Sequence, residues 1–499
     1  MNDVTEITMP TTAADPTATQ MRFQASQAGL GATQKLAAHA ADLQYGALPA
    51  ALVTLIKQCV LDTLGVIIGA SGIAPEGRIV ADYVKDLGGK PESTLLGFGG
   101  KAPAPWAVFV NGSLGHMLDY DDVGIGGHVS ICTIPPALAI AEKRGGANGR
   151  DFIAAVAAGT DIHTRLALAI DIPDWTMTEG WFATQLLGFI SGAAAAGRIL
   201  GLDADQMENA LGVGYNQMSG SRQMAVGAAT HMRSMQAGFA GQAATAGAEL
   251  AQRGIIGSKE IIEGCYGLFH NYVRTESPDW DAVVGALGNR FPLLETHGFK
   301  VWPACAYTRP TNAAILHLRR EHRIGPQDVE SIAVIGGTGG TQLLCEPLER
   351  KRRPQTSIDG KYSIPFTTAV MMQQGNVALR DYTDEGLRDP AVLAMADRVT
   401  YRPLSGARSN GGGSDHASHT TMVEIRTKDG RVFAHQPDGV PGDPRHPVDT
   451  GLLEAKFRDC VSFSAQPIDR SAVDRAIAMI LDLENLADVT EIVKTLANR

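Results

Sequence analysis

Residues 151–170, DFIAAVAAGTDIHTRLALAI, decide the fold. Apolar and small residues recur around almost the whole helical circumference, so an amphipathic surface helix is excluded. A helix of this kind is buried on all sides. Residues 186–202, LLGFISGAAAAGRILGL, repeat the pattern with four glycines and four alanines. Side chains that small let helix backbones approach closely. Residues 48–70, LPAALVTLIKQCVLDTLGVIIGA, open on Leu48-Pro49 and keep apolar residues at intervals of three and four, which predicts a third core helix. In 201–217, Asp203 stands where an N-cap belongs. Residues 33–278 therefore read as one all-helical domain.

Texture changes beyond residue 279. VESIAVIGG (329–337), DRVTYRP (397–403) and TTMVEIRTKDGRVFAHQP (420–437, turning at Asp429-Gly430) read as strands, while 360–376 and 389–398 read as helices. That mixture predicts a smaller α+β domain over 279–465. Residues 466–499 supply an amphipathic helix that returns to the helical domain. Residues 1–32 read as a disordered tail, and the Gly/Ser-rich 405–420 as a mobile loop. The fold class is mainly α, a large all-helical domain plus a smaller α+β lid domain.

With 499 residues, two domains are expected. A net charge of −10 argues against a nucleic-acid partner. Six scattered cysteines without a CxxC pair read as reduced thiols, and the N-terminus lacks the features of a signal peptide. The apolar runs read as interrupted or too short to span a bilayer. A cytoplasmic protein with no membrane partner is expected.

Residues 116–130, HMLDYDDVGIGGHVS, concentrate titratable groups on a chain with 19% charged residues. On a helix His116, Asp119 and Asp122 share a face; Gly124, Gly126 and Gly127 then end it, leaving His128 on a flexible return. Three readings compete: proton transfer between carboxylate and imidazole, a metal site, or a solvated helix end.

This stretch resembles the His-x-x-Asp-aromatic-Asp-Asp signature of the MmgE/PrpD family, with His128-Val129-Ser130 in place of its His-Pro-Ser/Gly. Residues 48–71, 246–269, 299–310 and 441–460 resemble further segments of that family in the same order. The resemblance implies a homodimer, a site in the cleft between the domains, and chemistry on small carboxylic acids that uses no metal or other cofactor. It carries Asp119, His128, Lys300 and Arg233 as catalytic residues: Asp119 the base, His128 the acid, and Lys300 with Arg233 the carboxylate clamp. A lysine is usual at 233, and an arginine cannot shuttle a proton. His231, Arg222, Tyr307, Arg309, Tyr362 and Phe182 are the expected substrate-binding residues. Without a catalytic part, Arg233 would make a surface salt bridge, Lys300 would sit at a solvated strand end, Tyr362 would pack in the core and Cys305 would be a buried thiol.

Val123, Phe182 and Cys305 stand where relatives have polar groups, and Gln236 where a histidine is usual. A tricarboxylate would be poorly matched. The expected function is a cofactor-independent lyase, a dehydratase or decarboxylase acting next to a carboxylate. An isomerase or epimerase is the alternative, and a non-catalytic carboxylate-binding protein the third reading.

Overall fold

The computed structural model describes residues 29–170, 179–225, 230–275, 277–337, 339–403 and 421–497. The expected tail, up to residue 28, and the loop at 405–420 lie outside them.

The helical domain runs through α1 (Ala32–Asp42), α2 (Ala50–Ile73), α3 (Pro75–Leu87), α4 (Ala104–Met117), α5 (Ser130–Lys143), α6 (Gly149–Ile170), α7 (Ala183–Leu200), α8 (Ala204–Tyr215) and α9 (Met232–Gln252). One two-residue pair, β1 (Ser93–Thr94) with β2 (Lys101–Ala102), interrupts it. α6 and α7 are buried along nearly their whole length, as their small-residue composition requires. α8 starts at Asp203, whose carboxylate caps Gln206 N while the Gln206 side chain accepts from Asp203 N. Where α4 meets α9 the backbones touch: a Cβ on Gly238 would stand 2.2 Å from Ser113 Oγ. That contact brings the end of α4 beside the start of α9.

By length and composition alone α2 and α6 could cross a membrane, although the apolar runs read in the sequence as interrupted or too short. Both are packed inside the protein, and this burial accounts for their apolar composition.

The second domain is a four-stranded sheet in the order β4-β3-β5-β6. β3 (Val329–Gly336) pairs parallel with β4 (Val399–Arg402) and antiparallel with β5 (Thr421–Thr427); β5 turns at Asp429-Gly430 into β6 (Val432–His435). α10 (Arg309–His322) and α11 (Ile364–Gln374) pack on it.

Both expected boundaries shift. Trp280, Val283, Phe291, Leu293 and Phe299 belong to the helical core, and Trp302 is the first large residue of the second core. The return to the helical domain begins with α12 (Thr450–Ser462), before residue 466: Leu453, Phe457 and Cys460 are buried in the helical core. α13 (Arg470–Leu481) and α14 (Thr490–Leu496) follow it there.

Candidate active site

Helix α4 stops at Met117, so His116, Asp119 and Asp122 do not form a helical row. Asp119 takes the left-handed conformation, φ 48°, which a residue with a Cβ adopts at a cost of about 1 kcal/mol and which no right-handed α-helix continues through. Nor is the segment solvated: Asp119 is 4% exposed, Asp121 0%, His128 6%. The expected flexible return is a tight reciprocal bridge, Gly124 N to Gly127 O at 2.8 Å and Gly127 N to Gly124 O at 3.0 Å. Gly127 has φ 86°, and a Cβ there would strike Thr184 Oγ1.

This irregular loop is held from outside. Its carbonyls accept from lysines beyond residue 299: Lys361 on Met117 O at 3.0 Å, Lys300 on Asp119 O at 3.0 Å, Lys456 on Tyr120 O at 2.5 Å. Lys456 also donates to Lys300 O at 3.0 Å and pairs with Asp62 at 2.6 Å. The second domain and the C-terminal return thus fix the geometry of the aspartate loop.

Within that frame the four expected catalytic residues converge. Lys300 Nζ is ion-paired with Asp119 Oδ1, and His116 Nε2 stands 3.9 Å from the same oxygen. Arg233 donates through Nη1 to His116 Nε2, and its Nη2 lies 3.5 Å from His128 Nε2. The guanidinium lies 4.3 Å from the centroid of the Phe182 ring. Asp121 sits behind both imidazoles, 2.9 Å from each Nδ1; His128 Nδ1 also lies 2.7 Å from Asp122 O. Every partner of the two Nδ1 atoms is an acceptor. Both rings therefore carry their proton on Nδ1 and turn the Nε2 lone pair toward Arg233.

Charge states follow from the surroundings. Burial and then Arg233 hold the His116 imidazole down at about 3. Burial works to raise Asp119 and Asp121, but Lys300 lowers Asp119, and the two imidazoles lower Asp121, below the usual carboxylate range. Asp122 is pushed up to about 6 by burial and by Asp121; it accepts from Ser130 N at 2.9 Å and so caps α5. Burial pushes the Tyr362 phenol well up, with Arg233 and Asp119 as its charged neighbours, so it stays a donor. Cys305 is pushed up to about 11 by burial, then by Asp119; it is a neutral thiol.

The other expected residues divide. Tyr307 is packed over Gly340 and lies within electrostatic reach of Arg222, which begins the turn Arg222–Ala225. His231 is exposed at the start of α9 and stands outside the cluster. Arg309 does not reach the cleft: it is fully buried, ion-paired with Asp443 at 2.6 Å and donating to Pro441 O at 2.9 Å, and it secures the 441–446 turn.

Asp121, Lys361 and Lys456 are the residues to which the sequence reading gave no role; His116 it placed on the helical row but not among the catalytic residues. Helical spacing selects 119 and 122; a loop turns 121 inward instead. Lys456 lies in LLEAKFRDC, which also carries Glu454, Arg458 and Asp459, so its charge does not stand out there; the resemblance of 441–460 to a family segment was the available signal.

Among the described residues three groups bring metal-type donors together: His116 with Asp119 and His128, Asp121 with Asp122 and His128, and Cys59 with Asp122 and His297. In the first, Arg233 and Lys300 already point N–H groups at His116 Nε2 and Asp119 Oδ1. Two fixed positive charges there oppose a divalent cation.

Two domain models match this arrangement in order, the MmgE/PrpD N-terminal domain over residues 34–281 and the MmgE/PrpD C-terminal domain over 302–484.

The chain belongs to the MmgE/PrpD family.

Among the curated relatives of this MmgE/PrpD protein, the human cis-aconitate decarboxylase is 25% identical over 475 residues, covering 91% of this chain and 92% of the relative. The cis-aconitate decarboxylase of Aspergillus terreus is 24% identical over 493 residues, covering 94% and 97%. A cis-aconitate decarboxylase-like protein of Aspergillus oryzae is 24% identical over 485 residues, covering 92% and 96%.

Proposed function

We propose that this MmgE/PrpD protein is a cofactor-independent lyase that moves a proton at the carbon next to a carboxylate of a small acid. The observation that supports it best is the His128 Nε2 lone pair, fixed by Asp121 and set beside Arg233. A proton leaving that carbon makes the adjacent carboxylate still more negative. Arg233 and Lys300 meet this charge as preorganised cations. His128 takes the proton, which assigns it the base's role. Asp119, locked on Lys300, is too weak a base and instead orients that ammonium. Departure of a β-hydroxyl as water, with the proton that the His128 imidazolium gives up, then completes dehydration. In decarboxylation the same imidazole, protonated, returns its proton to the carbon that CO₂ leaves.

The relatives' names favour the decarboxylase branch, while the pocket favours a less charged acid than a tricarboxylate. Phe182 and the neutral Cys305 add no cation, and each missing charged hydrogen bond costs about 1–3 kcal/mol. Incubation of candidate acids in D₂O separates the outcomes. Unsaturated product or released CO₂ supports the lyase; recovered acid of inverted configuration, deuterated and without either product, replaces it with an epimerase. Binding without exchange or product makes the protein a non-catalytic carboxylate binder.

A further inference from the structure

Helix α7 begins in the interior without a cap. Its N-cap residue is Phe182, which offers no side-chain acceptor. Ala183, Thr184 and Gln185 are 3%, 1% and 6% exposed, yet among the described residues their backbone N–H groups have no acceptor. Buried helix starts are ordinarily satisfied, because each orphaned donor costs desolvation. Thr184 does not cap the helix either: its Oγ1 accepts from His128 N at 3.2 Å.

A second observation lies opposite. Gln236 is fully buried, and neither end of its amide has a hydrogen-bond partner among the described residues. Residues 233, 236 and 240 form one stripe of α9. Arg233 stacks on Phe182 at one end of it, and Ala240 meets Gly188 at the other, 3.0 Å from a Cβ placed there. Gln236 falls between them and faces the first turn of α7. Helical side chains lean toward the N-terminus, here toward Arg233.

We infer that the first turn of α7 and the Gln236 amide form a carboxylate-binding subsite beside His128, with the Arg233 guanidinium at its rim. Three N–H donors, an amide donor and the positive end of an 18-residue helix suit an anion, and the first turn of that helix carries no acidic residue. The subsite deepens the proposed function by placing one carboxylate of the substrate on the α7 side, across from Lys300. It rests on that reading only in taking a small acid as the ligand.

The test is calorimetric titration of the whole protein with succinate and with acetate, alongside thermal melts of the ligand-free forms. Gln236→Leu removes the amide at similar volume. Ala183→Pro removes one N–H at a position where helices tolerate proline, and Phe182, at φ −104° and ψ 110°, already has a backbone suited to precede one. Each variant is expected to weaken succinate binding about ten-fold. Gln236→Leu is also expected to raise the melting temperature of the ligand-free protein, since an unsatisfied buried amide has gone; a structural amide would do the reverse. Unchanged affinity in Gln236→Leu, a lowered melting temperature with affinity retained, or no binding of either acid by the unaltered protein overturns the subsite. Should Ala183→Pro fail to fold, the two Gln236→Leu readings decide alone. Binding that obeys these expectations without any α-proton exchange would sink the proposed reaction and leave the subsite standing.

Discussion

The imidazoles of His116 and His128 lie 4.2 Å apart between ring centroids, with both Nδ1 atoms on one carboxylate, Asp121. One ring is held neutral as an acceptor for Arg233; the Nε2 of the other lies 3.5 Å from the same guanidinium. Asp121 sets both tautomers. Asp121→Asn presents one oxygen where two Nδ1–H groups need acceptors, and its amide N–H₂ repels the second. Steady-state kinetics should show kcat down by roughly 10²–10⁴, with substrate affinity changed much less. An Asn variant within three-fold of the parent kcat would remove Asp121 from the account.

Acid stability should be shaped by opposing groups. Burial holds His116 and His297 down at about 3 and His163 at about 4, so each is neutral in the fold and gains a proton on unfolding below about 6.5. Their contribution is lost as pH falls. Burial raises Asp62 and Asp122 to about 6, so these take up protons in the fold and contribute stability as pH falls from 6 toward 3.8. Three histidines against two aspartates leave a shallow net decline between pH 6 and 4. Below pH 4 the unfolded chain protonates Asp119 and Asp121 while the fold still holds both carboxylates charged, and the decline steepens. Asp122→Asn isolates one contributor: at pH 7.5 it should unfold about 2–3 kcal/mol later than the parent, and the difference should vanish near pH 4. Denaturant melts at the two pH values check this; equal differences at both would refute it.

Arg233 and Phe182 should be energetically coupled. Lysine at 233 cannot hold His116 and His128 together or lay a flat cation on the ring. Arg233→Lys should lose about 10- to 100-fold in kcat/KM, and a double-mutant cycle with Phe182→Leu should give a coupling of about 0.5–2 kcal/mol. Additive losses would mean the stacking is incidental.

How much of this was legible beforehand depends on what enforces each feature. The helical core was readable at 151–170 and 186–202 because composition alone fixes burial there. The strands at 329–336 and 421–435 announced themselves through β-branched runs and an Asp-Gly turn. Asp119 and His128 were singled out from the stretch itself as well as through resemblance, Lys300 and Arg233 through resemblance, and the four side chains do meet. Helical spacing failed at 116–122 because Asp119 leaves the helix, a conformation imposed by lysines from 180 to 340 residues away in sequence. Arg309 was misplaced for a related reason. Its partner, Asp443, lies in a segment that no local pattern links to it.

Lys456 ties the C-terminal return to the site. Lys456→Met would strand Asp62 as an uncompensated buried charge, which typically costs about 3–5 kcal/mol. The double change Asp62→Asn with Lys456→Met should recover stability, but not kcat, because Tyr120 O and Lys300 O stay unheld. Calorimetry beside kinetics checks the split. Recovery of both would make Lys456 a stability residue alone.

The claim at the centre is that His128 Nε2 carries the proton of a carbon acid. The most direct measurement takes the acid that most stabilises the protein, from a panel of di- and tricarboxylates that includes cis-aconitate. It then follows deuterium entering that acid or its product in D₂O by mass spectrometry. The account predicts exchange with the unaltered protein, and at least about a 10²-fold slower rate with His128→Gln at saturating ligand. Exchange at the parent rate in His128→Gln would contradict it.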